Sequence, residues 1–528
     1  MLLETAQEVR TEALSPAAML QMARQYALLG NPEEAERCYR QVLANAPENV
    51  EALYRLASLL QQTGNRPEQA LALLENALAL APGNAALHGT RALILNGMNR
   101  PLDALDAFAD ACCLAPDNAD MLYNIGLLCA ELCCPAQAEV YARHLLERFP
   151  DRPSAHYLLL RALTALEIDS AELDAHYAFL IKADPLNVSL RFARGLLQLK
   201  MGDYAAGWDA QEWRWELEPV KSSRIVCTQP RWAGTPLEGR RLLILGEQGF
   251  GDVLQFARYL PLLVARGAHV TLQLDDNRAP LARLLKQIEG LEIVMGNSQL
   301  PACDLYCPLA SLPYVFGTTV DTIPALPYLK VDPKDVNVWK ERLAHLPRPW
   351  VGLCWAGSQE HSHNVRRSLP LCAESRLYHE RQTREQRIGM AAARVAAALN
   401  LDALNAAARR DAEPAFFTME PLLRRTAGSF VSLQIGPHAS EIEELPSDLR
   451  SRTVAPLTGN PDFYDTACLV QALDEVITVD TSVAHVTGAL GRPGLVIKPA
   501  APEWRWIERN GRSPWYPNLR LMAQHAIG

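Results

Sequence analysis

Three segments in the second half of the chain combine glycine, acidic and basic residues in patterns that suit an anionic ligand. The first, GEQGFGDVLQ, runs from Gly246 to Gln255 after a short apolar run. Gly249 and Gly251 allow a close approach of the backbone to a ligand, and the predicted helix after them offers free amides at its N-terminus. Asp252 is either a first-turn acid that favours the helix dipole or, at a cleft, a general base.

The second segment, WAGSQEHSHNVRRSLPL, follows a predicted strand and carries two adjacent cations. The guanidinium groups of Arg366 and Arg367 have the fork geometry that suits diphosphate oxygens. The alternative is a solvated loop that binds nothing. His361 and His363 are of the type that binds metal, but no third ligand accompanies them, so we expect no metal site.

The third segment, VITVDTSVAHVTGALGRP, predicts a buried strand that ends at Asp480 and a helix that begins at Thr481 and Ser482. Asp480 or Thr481 either caps this helix, or the helix N-terminus binds an anion. His485 follows one turn later, on the same side of the helix as Thr481. This segment is the most specific of the three.

An NAD-dependent enzyme is an alternative interpretation of the first segment. Its glycine order, GxxGxG, departs from the dinucleotide fingerprint GxGxxG. Asp275 and Asp276 nevertheless end the next predicted strand, where a dinucleotide-binding fold places its ribose-binding acid.

The elements that must position these segments are short apolar strands that alternate with helices after Lys221. This alternation predicts parallel sheets covered on both faces. The strands fall into two groups, which predicts two Rossmann-like lobes, residues 216–345 and 346–528, with a cleft between them. A charged, alanine-rich segment at 374–425 interrupts the second lobe and predicts one or two surface helices. The predicted strands are Leu242–Leu245, Val270–Leu274, Leu291–Met295, Val351–Trp355, Ser429–Gln434, Val476–Val479 and Leu495–Lys498.

The first 215 residues repeat with a period of 34 or 35 residues. Proline marks the end of each unit, and alanine stands twelve residues before each of the first four prolines. The spacing predicts helix–turn–helix units, with the small residue where two helices cross and the proline ending the second helix. The pattern resembles tetratricopeptide repeats, which predicts an α superhelical array that binds a protein partner. The marker residues are Pro47, Pro82, Pro116, Pro150 and Pro185, with Ala35, Ala70, Ala104 and Ala138. Trp208, Trp213 and Trp215 are predicted to cap the array against the next domain.

Composition restricts the classes of partner. The chain has 528 residues and a formal net charge of −9, and it contains no basic block. Nucleic acid and anionic membranes are therefore not expected as partners. We find neither a signal peptide nor an apolar run long enough to span a bilayer, so a cytoplasmic location is expected. A homo-oligomer is compatible with such an array.

Taken in order, the motifs GDVLQFARYLPLL, WAGS with RRSLPL, FVSLQ, VDTSVAH and SPWYPNLRL resemble GT-B glycosyltransferases of the heptosyltransferase type, family 9. Apart from residues 374–425, nearly the whole chain resembles bacterial proteins that fuse tetratricopeptide repeats to such a domain. The resemblance implies a metal-independent transferase that uses a nucleotide-sugar as co-substrate and needs no other cofactor.

The resemblance also implies roles for single residues. Asp252 matches the family's proposed base, which deprotonates the acceptor hydroxyl. Asp480, Thr481 and Ser482 match the motif that holds the donor phosphates, and His485 matches the family's histidine one turn later.

Two positions concern the identity of the donor. Gln434, at the end of FVSLQ, matches the place where the nucleotide base and ribose are approached. The family usually has glycine at the position of Ser482 and a lysine on the phosphates, where this chain has Arg366 or Arg367.

The sequence therefore predicts a glycosyltransferase whose repeats recruit a protein acceptor, such as flagellin or another surface protein. The alternative is a non-catalytic repeat scaffold with a degenerate transferase domain.

Overall fold

The computed structural model describes residues 15–64, 66–166, 170–218, 220–223, 225–296, 300–325, 327–357, 367–373, 376–412, 417–499 and 503–524. Contacts divide the chain into two units. One comprises the residues up to Ala162 together with Arg384–Ala412, and the other comprises Leu163–Thr383 and the residues from 413 onward. This division follows contacts alone, so the boundaries of the domains 1–215, 216–345 and 346–528 stay predictions.

The repeat region is built from pairs of antiparallel helices. The alanines at the predicted crossing points, Ala35, Ala70, Ala104 and Ala138, are fully buried, as the spacing predicts. The helices are α1 (Pro16–Leu28), α2 (Pro32–Asn45), α3 (Val50–Thr63), α4 (Pro67–Leu80), α5 (Ala85–Gly97), α6 (Pro101–Leu114), α7 (Ala119–Glu131), α8 (Pro135–Arg148), α9 (Pro153–Leu166), α10 (Ser170–Ala183), α11 (Val188–Lys200) and α12 (Tyr204–Gln211).

A Pro-x-Asn sequence makes the junction between successive pairs. After α2 ends at Asn45, Pro47 lies in the turn, and the side chain of Asn49 accepts a hydrogen bond from the amide of Ala52 at 2.9 Å. Asparagine is a favourable N-cap because its side-chain oxygen satisfies an amide that has no partner within the helix. The same arrangement recurs before α5, α7 and α11, where the capping residues are Asn84, Asn118 and Asn187.

The turns inside the pairs need a left-handed residue. The left-handed conformation is adopted by Gly30, Gly64 and Gly202, with φ between 68° and 85°. Gly97 is different, because it ends α5 as a helical residue and Asn99 takes the left-handed conformation at φ 57°.

The inserted segment forms α19 (Arg376–Leu399), α20 (Ala403–Ala412) and α21 (Glu420–Arg425). The sequence predicts one or two helices here and the described part of the segment forms three, the first of which buries apolar side chains such as Ile388 and Val395. Residues 384–412 belong to the repeat unit, where Arg387 pairs with Asp103 at 2.7 Å on α6. Charge complementarity with a repeat helix therefore accompanies the burial of their apolar face.

Two parallel sheets follow the array. The first has the strand order β3-β2-β1-β4, and the second has the order β7-β6-β5-β8-β9-β10. Both follow the doubly wound sequence of strands, in which the chain leaves a central strand in one direction and later returns to its other side. The predicted α/β region with parallel sheets is thus confirmed. The strands are β1 (Arg241–Leu245), β2 (His269–Leu274), β3 (Leu291–Met295), β4 (Leu305–Pro308), β5 (Trp350–Cys354), β6 (Ser429–Ser432), β7 (Thr453–Val454), β8 (Glu475–Val479), β9 (Gly494–Lys498) and β10 (Leu519–Ala523).

The sheets are flanked by further helices. The single helix predicted after β1 is interrupted by a 3₁₀ turn, Ala257–Tyr259, and restarts at Leu260 with Pro261 in its first turn. Proline favours a helix start because it lacks the amide that has no partner there. These helices are α13 (Val220–Ser223), α14 (Phe250–Phe256), α15 (Leu260–Ala265), α16 (Ala279–Leu285), α17 (Leu312–Val315), α18 (Pro333–Leu343), α22 (Ser447–Arg450), α23 (Phe463–Ala472) and α24 (Ser482–Ala489).

Trp208 on α12 belongs to the core of the α/β unit. It makes edge contacts with Trp504 and Trp515, and its indole nitrogen donates to the carbonyl of Thr318 at 2.8 Å. This confirms the predicted capping role for Trp208, whereas Trp213 is exposed. The last repeat helices are consequently part of the unit that carries the sheets.

Within the described residues, no helix combines the length and the apolar character needed to cross a membrane. The same part of the chain contains no group of three or more histidine, cysteine, aspartate or glutamate side chains arranged to hold a metal ion. Cys129, Cys133 and Cys134 are buried.

Candidate functional site

The strand orders place the sequence motifs at the two topological switch points. In the first sheet the chain direction switches between β1 and β4, so the turn after β1, Gly246–Gly249, borders the crevice. In the second sheet it switches between β5 and β8, and the segments that begin at Trp355 and Asp480 follow those strands. Ligands of open parallel sheets bind outside the carboxyl ends of the strands at such points.

Glu247 in the first motif has a structural role. Its carboxylate takes two hydrogen bonds from Arg214, at 2.7 and 3.0 Å, and a third from the amide of Ala310 at 3.1 Å. Arg214 also donates to Ser311 at 2.7 Å, and it is almost completely buried. Burial alone lowers the pKa of Arg214, but Glu247 and Glu212 outweigh it, so the pKa is raised. This ion pair fixes the end of β1 and hence the glycine turn.

Asp252 takes the first of the two roles that the sequence left open, that of an acid in the first turn of a helix, and its role as a general base stays a prediction. One of its oxygens accepts from the amide of Gly249 at 3.0 Å, which caps α14, and the other accepts from Arg505. Its side chain is 19% exposed. The carboxylate is therefore held at the start of the helix and keeps some contact with solvent.

Gly251 contacts the second sheet's helix α24. A Cβ at this position would lie 2.9 Å from Cδ2 and 3.0 Å from Nε2 of His485, so only glycine fits. The close neighbour of Gly251 is thus an imidazole of the protein, and the predicted close approach of the glycine turn to a ligand stays a prediction. The first and third motifs, more than 200 residues apart in sequence, meet at this contact.

His485 is buried, and its Nδ1 lies 2.9 Å from the hydroxyl of Tyr516. Burial lowers the pKa of His485 well below its ordinary value, and the nearby cations Arg505, Arg258 and Arg367 lower it further. The ring is therefore neutral at physiological pH.

Asp480 lies at the end of β8, with Arg367 Nη1 at 3.9 Å. Burial, followed by the charge of Glu503, raises the pKa of Asp480 to about 6, although Arg367 and Arg505 oppose the shift. The structure thus brings Arg367 to the third motif. Arg366, like His361 and His363, lies outside the described residues.

Thr481 is the N-cap residue of α24 and does not cap the helix with its side chain. Its hydroxyl lies 3.2 Å from that of Thr478 and 3.6 Å from Cys354 Sγ. Ser482 begins the helix and is partly exposed. The start of this helix is the place where the sequence predicts a bound anion, and that binding stays a prediction.

The side chain of Gln434 stabilises the turn after β5 by hydrogen bonds to its backbone. Its Oε1 accepts from the amides of Trp355 at 3.1 Å and Ala356 at 2.9 Å, and its Nε2 donates to the carbonyl of Ile435 at 3.1 Å. The side chain therefore shapes the second motif from the adjacent strand. Its contact with a nucleotide base or ribose stays a prediction.

Asp275, the acid considered for a dinucleotide ribose, is paired within the protein. One carboxylate oxygen accepts from the amide of Arg278 at 3.2 Å and the other from its guanidinium. Arg278 also donates from Nε to the carbonyl of Gln248 at 2.8 Å. These residues brace the glycine turn.

Arg505 is the residue that the sequence analysis missed. It contacts Asp252 and Glu503, and it lies near Asp480. Burial lowers the pKa of Arg505, but the three carboxylates outweigh this effect and raise it. The sequence feature that could have indicated Arg505 is its position between two tryptophans in EWRWIE. An arginine between two aromatic residues tends to stack on a ring and to be ordered.

Comparison with known proteins supports the repeat array. A tetratricopeptide-repeat family model matches residues 26–94. The chain is 26% identical over 519 residues to protein FlbA of Caulobacter vibrioides, a match that covers 94% of this chain and 73% of that protein.

Among solved structures, a tetratricopeptide repeat protein from Parabacteroides merdae is 20% identical with a TM-score of 0.34, covering 39% of this chain and 80% of that one. PilF from Pseudomonas aeruginosa is 21% identical with a TM-score of 0.34, covering 40% and 96%.

Proposed function

We propose that the protein is a metal-independent GT-B glycosyltransferase that moves a sugar from a nucleotide-sugar donor to a hydroxyl of a protein acceptor. One observation carries the proposal: the motifs at both switch points share direct contacts. Arg505 reaches Asp252, Gly251 abuts His485, and Arg367 lies beside Asp480. Two doubly wound sheets with motifs at their facing switch points agree with a GT-B arrangement.

In this proposal Asp252 removes the proton from the acceptor hydroxyl. The acceptor oxygen forms a bond to the anomeric carbon, while the bond from that carbon to the donor phosphate oxygen breaks and the nucleotide leaves. Negative charge accumulates on the leaving phosphate, where the amides at Thr481 and Ser482 with their helix dipole, and Arg367, stabilise it. Neutral His485 orients the start of α24 against Gly251.

The repeats supply the reason for a protein acceptor. Tetratricopeptide repeats typically mediate protein interactions, and the family model matches within this array. We therefore assign acceptor selection to the array and propose flagellin or another surface protein as its class of acceptor.

The test uses the full chain and the five donor classes UDP-, GDP-, dTDP-, ADP- and CMP-sugars. We expect one class to bind and to be slowly hydrolysed. Asp252→Asn should abolish transfer to the acceptor while it retains donor binding, and Asp276→Asn, at an exposed acid after β2, should leave both unchanged. Absence of binding and hydrolysis with all five classes would refute the function, and retained turnover in Asp252→Asn would refute the base.

The non-catalytic scaffold is the second candidate, and one observation favours it. Both oxygens of Asp252 are already engaged, by Gly249 and Arg505. A scaffold predicts no donor hydrolysis in the wild type and unchanged binding of the partner protein in Asp252→Asn, whereas the transferase predicts donor hydrolysis in the wild type and loss of transfer in the variant.

A further inference from the structure

Arg505 lies among three carboxylates that belong to different elements. It donates to Asp252 at the start of α14 and pairs with Glu503 at 2.7 Å, and the carboxylate of Asp480 at the end of β8 stabilises its charge. The guanidinium carbon lies 4.5 Å from the centroid of the Trp504 ring. A guanidinium that is stacked and ion-paired in this way has a defined position.

The pairing with Arg505 opposes the role proposed for Asp252. A carboxylate that accepts hydrogen bonds on both oxygens and is neutralised by a guanidinium is poorly placed to take a proton from a hydroxyl. A general base needs a free oxygen within hydrogen-bond reach of the proton it removes. Arg505 must therefore leave Asp252 before transfer.

Arg505 is also close to the proposed phosphate site. Trp506, its neighbour in sequence, contacts His485 in the first turns of α24, with ring centroids 5.1 Å apart. The side chain of Arg505 is 14% exposed, so a ligand at this helix start is within reach of a guanidinium that is not fully enclosed. An anionic phosphate competes well for a guanidinium that a carboxylate holds.

From this placement we propose that Arg505 exchanges the carboxylate of Asp252 for the phosphate oxygens of the bound donor. This inference rests on the proposed function and adds a catalytic residue to it. Donor binding frees Asp252 to accept the acceptor proton, and Arg505 then stabilises the negative charge on the phosphate as its bond to the anomeric carbon breaks. The donor therefore binds before the acceptor can be activated.

A double-mutant cycle in the full chain tests the exchange. The probes are sugar-free UDP, GDP, dTDP, ADP and CMP, titrated calorimetrically against the wild type, Asp252→Asn, Arg505→Ala and the double variant. Asp252→Asn releases Arg505 and should tighten nucleotide binding by roughly tenfold, whereas Arg505→Ala should weaken it by about 10- to 100-fold. In the double variant the tightening should disappear, because the guanidinium that Asp252 competes for is gone.

The outcomes separate the exchange from simpler effects. If Asp252→Asn tightens binding equally with and without Arg505, the effect is general electrostatics and the exchange is refuted. Arg505→Lys keeps the charge and should restore part of the affinity, and Arg509→Ala, which removes an exposed arginine from the same segment, should change nothing. If no nucleotide and no donor binds to the wild type, the proposed function itself fails. Tight nucleotide binding without coupling overturns only the exchange.

Discussion

The carboxylate of Asp411 accepts hydrogen bonds from the backbone amides of Ala136 and Gln137, each at 3.0 Å. These amides lie in the first turn of α8, where a helix has no partners of its own for them. The N-cap residue of α8, Cys134, makes no side-chain capping bond. A residue of the inserted segment thus caps a helix of the repeat array.

We expect Asp411→Ala to destabilise the repeat unit by about 1–2 kcal/mol, because it removes the acceptor for two buried amides and a favourable charge at the helix start. Urea unfolding and amide hydrogen exchange of residues 136–140 measure the effect. Arg409→Ala is the control, since Arg409 is an exposed residue of the same helix as Asp411. Equal protection of these amides in Asp411→Ala and the wild type would contradict the capping role.

A second contact of the inserted segment with the repeats consists of ion pairs between arginines of α19 and aspartates of α6. Arg387 contacts Asp103 and Asp106, and Arg394 contacts Asp106 at 2.8 Å and Asp110 at 2.6 Å. Because these side chains are a third or more exposed, we expect the Arg387→Ala, Arg394→Ala double variant to lose only about 1 kcal/mol at low salt.

The loss should shrink at about 1 M salt, where the Debye length falls to about 3 Å and exposed charges are strongly screened. Thermal unfolding at both salt concentrations tests this, with Arg409→Ala, at an exposed arginine of α20, as the control. A loss that is independent of salt would assign the effect to packing instead.

Periodicity in the sequence predicted the repeats and most strands, because the spacing of proline, alanine and apolar residues within each segment determines these elements. β4 was missed since Cys307 and Pro308 made its sequence resemble a loop, although Pro308 ends the strand at the edge of the sheet. The docking of the inserted helices was not predictable in this way. It depends on charge complementarity between residues some 280 positions apart, such as Arg387 and Asp106, which periodicity does not reveal.

The candidate site, too, could be predicted only in part from the sequence. Motif chemistry placed Gly251, Asp480 and His485 in segments that follow predicted strands, and the structure brings Gly251 and His485 into contact. Motif chemistry did not reveal Arg505, whose partner Asp252 lies 253 positions away. It also did not reveal that the side chain of Gln434 stabilises the turn after the neighbouring strand. Side-chain partners across long separations are set by tertiary packing, so a single sequence does not show them.

Gly251→Ala should weaken both stability and donor turnover. The added methyl would lie 2.9 Å from the ring of His485, which is buried and fixed by Tyr516, so the two helices must separate at a cost of about 1–3 kcal/mol. Differential scanning calorimetry and donor hydrolysis measure the two effects.

Gly389→Ala is the matched control. It lies inside α19, and apart from the backbone of its own helix nothing lies within 4 Å of where a methyl group would stand, so alanine there should stabilise by about 0.5–1 kcal/mol. If Gly251→Ala behaved like this control, the close contact with His485 would be refuted.

Removal of the buried Arg214 should be among the most damaging single changes in the α/β unit. Arg214→Ala leaves Glu247 with its charge uncompensated and frees the end of β1, so we expect a loss of about 3–5 kcal/mol. Lys221→Ala, which breaks an exposed pair with Glu216 at 3.1 Å, should cost less than ~0.5 kcal/mol. Urea unfolding compares them, and similar losses in the two variants would mean that Arg214 does not stabilise the unit.

Asp480 gives the stability of the protein a defined pH dependence. Burial and Glu503 raise its pKa from the ordinary value of 3.8 to about 6 in the folded state. Between pH 3.8 and pH 6 the folded protein therefore holds a proton that the unfolded chain has released, so the contribution of Asp480 to the free energy of unfolding falls as pH rises through this window. Above pH 6 the cost of the buried charge is complete and no longer changes.

Asp480→Asn removes this titration, so its stability relative to the wild type should rise from about pH 4 to about pH 6 and then stay constant, by up to ~3 kcal/mol. Titrating groups that do not interact with Asp480 are the same in both proteins and cancel in the difference, whereas Glu503 faces Asp480 and its own titration changes when that charge is removed. Urea unfolding at closely spaced pH values measures it, and Asp321→Asn, at a largely exposed aspartate, should show a flat difference. A flat difference for Asp480→Asn as well would mean that the pKa of Asp480 is the same in the folded and unfolded chain, so that burial does not penalise this carboxylate.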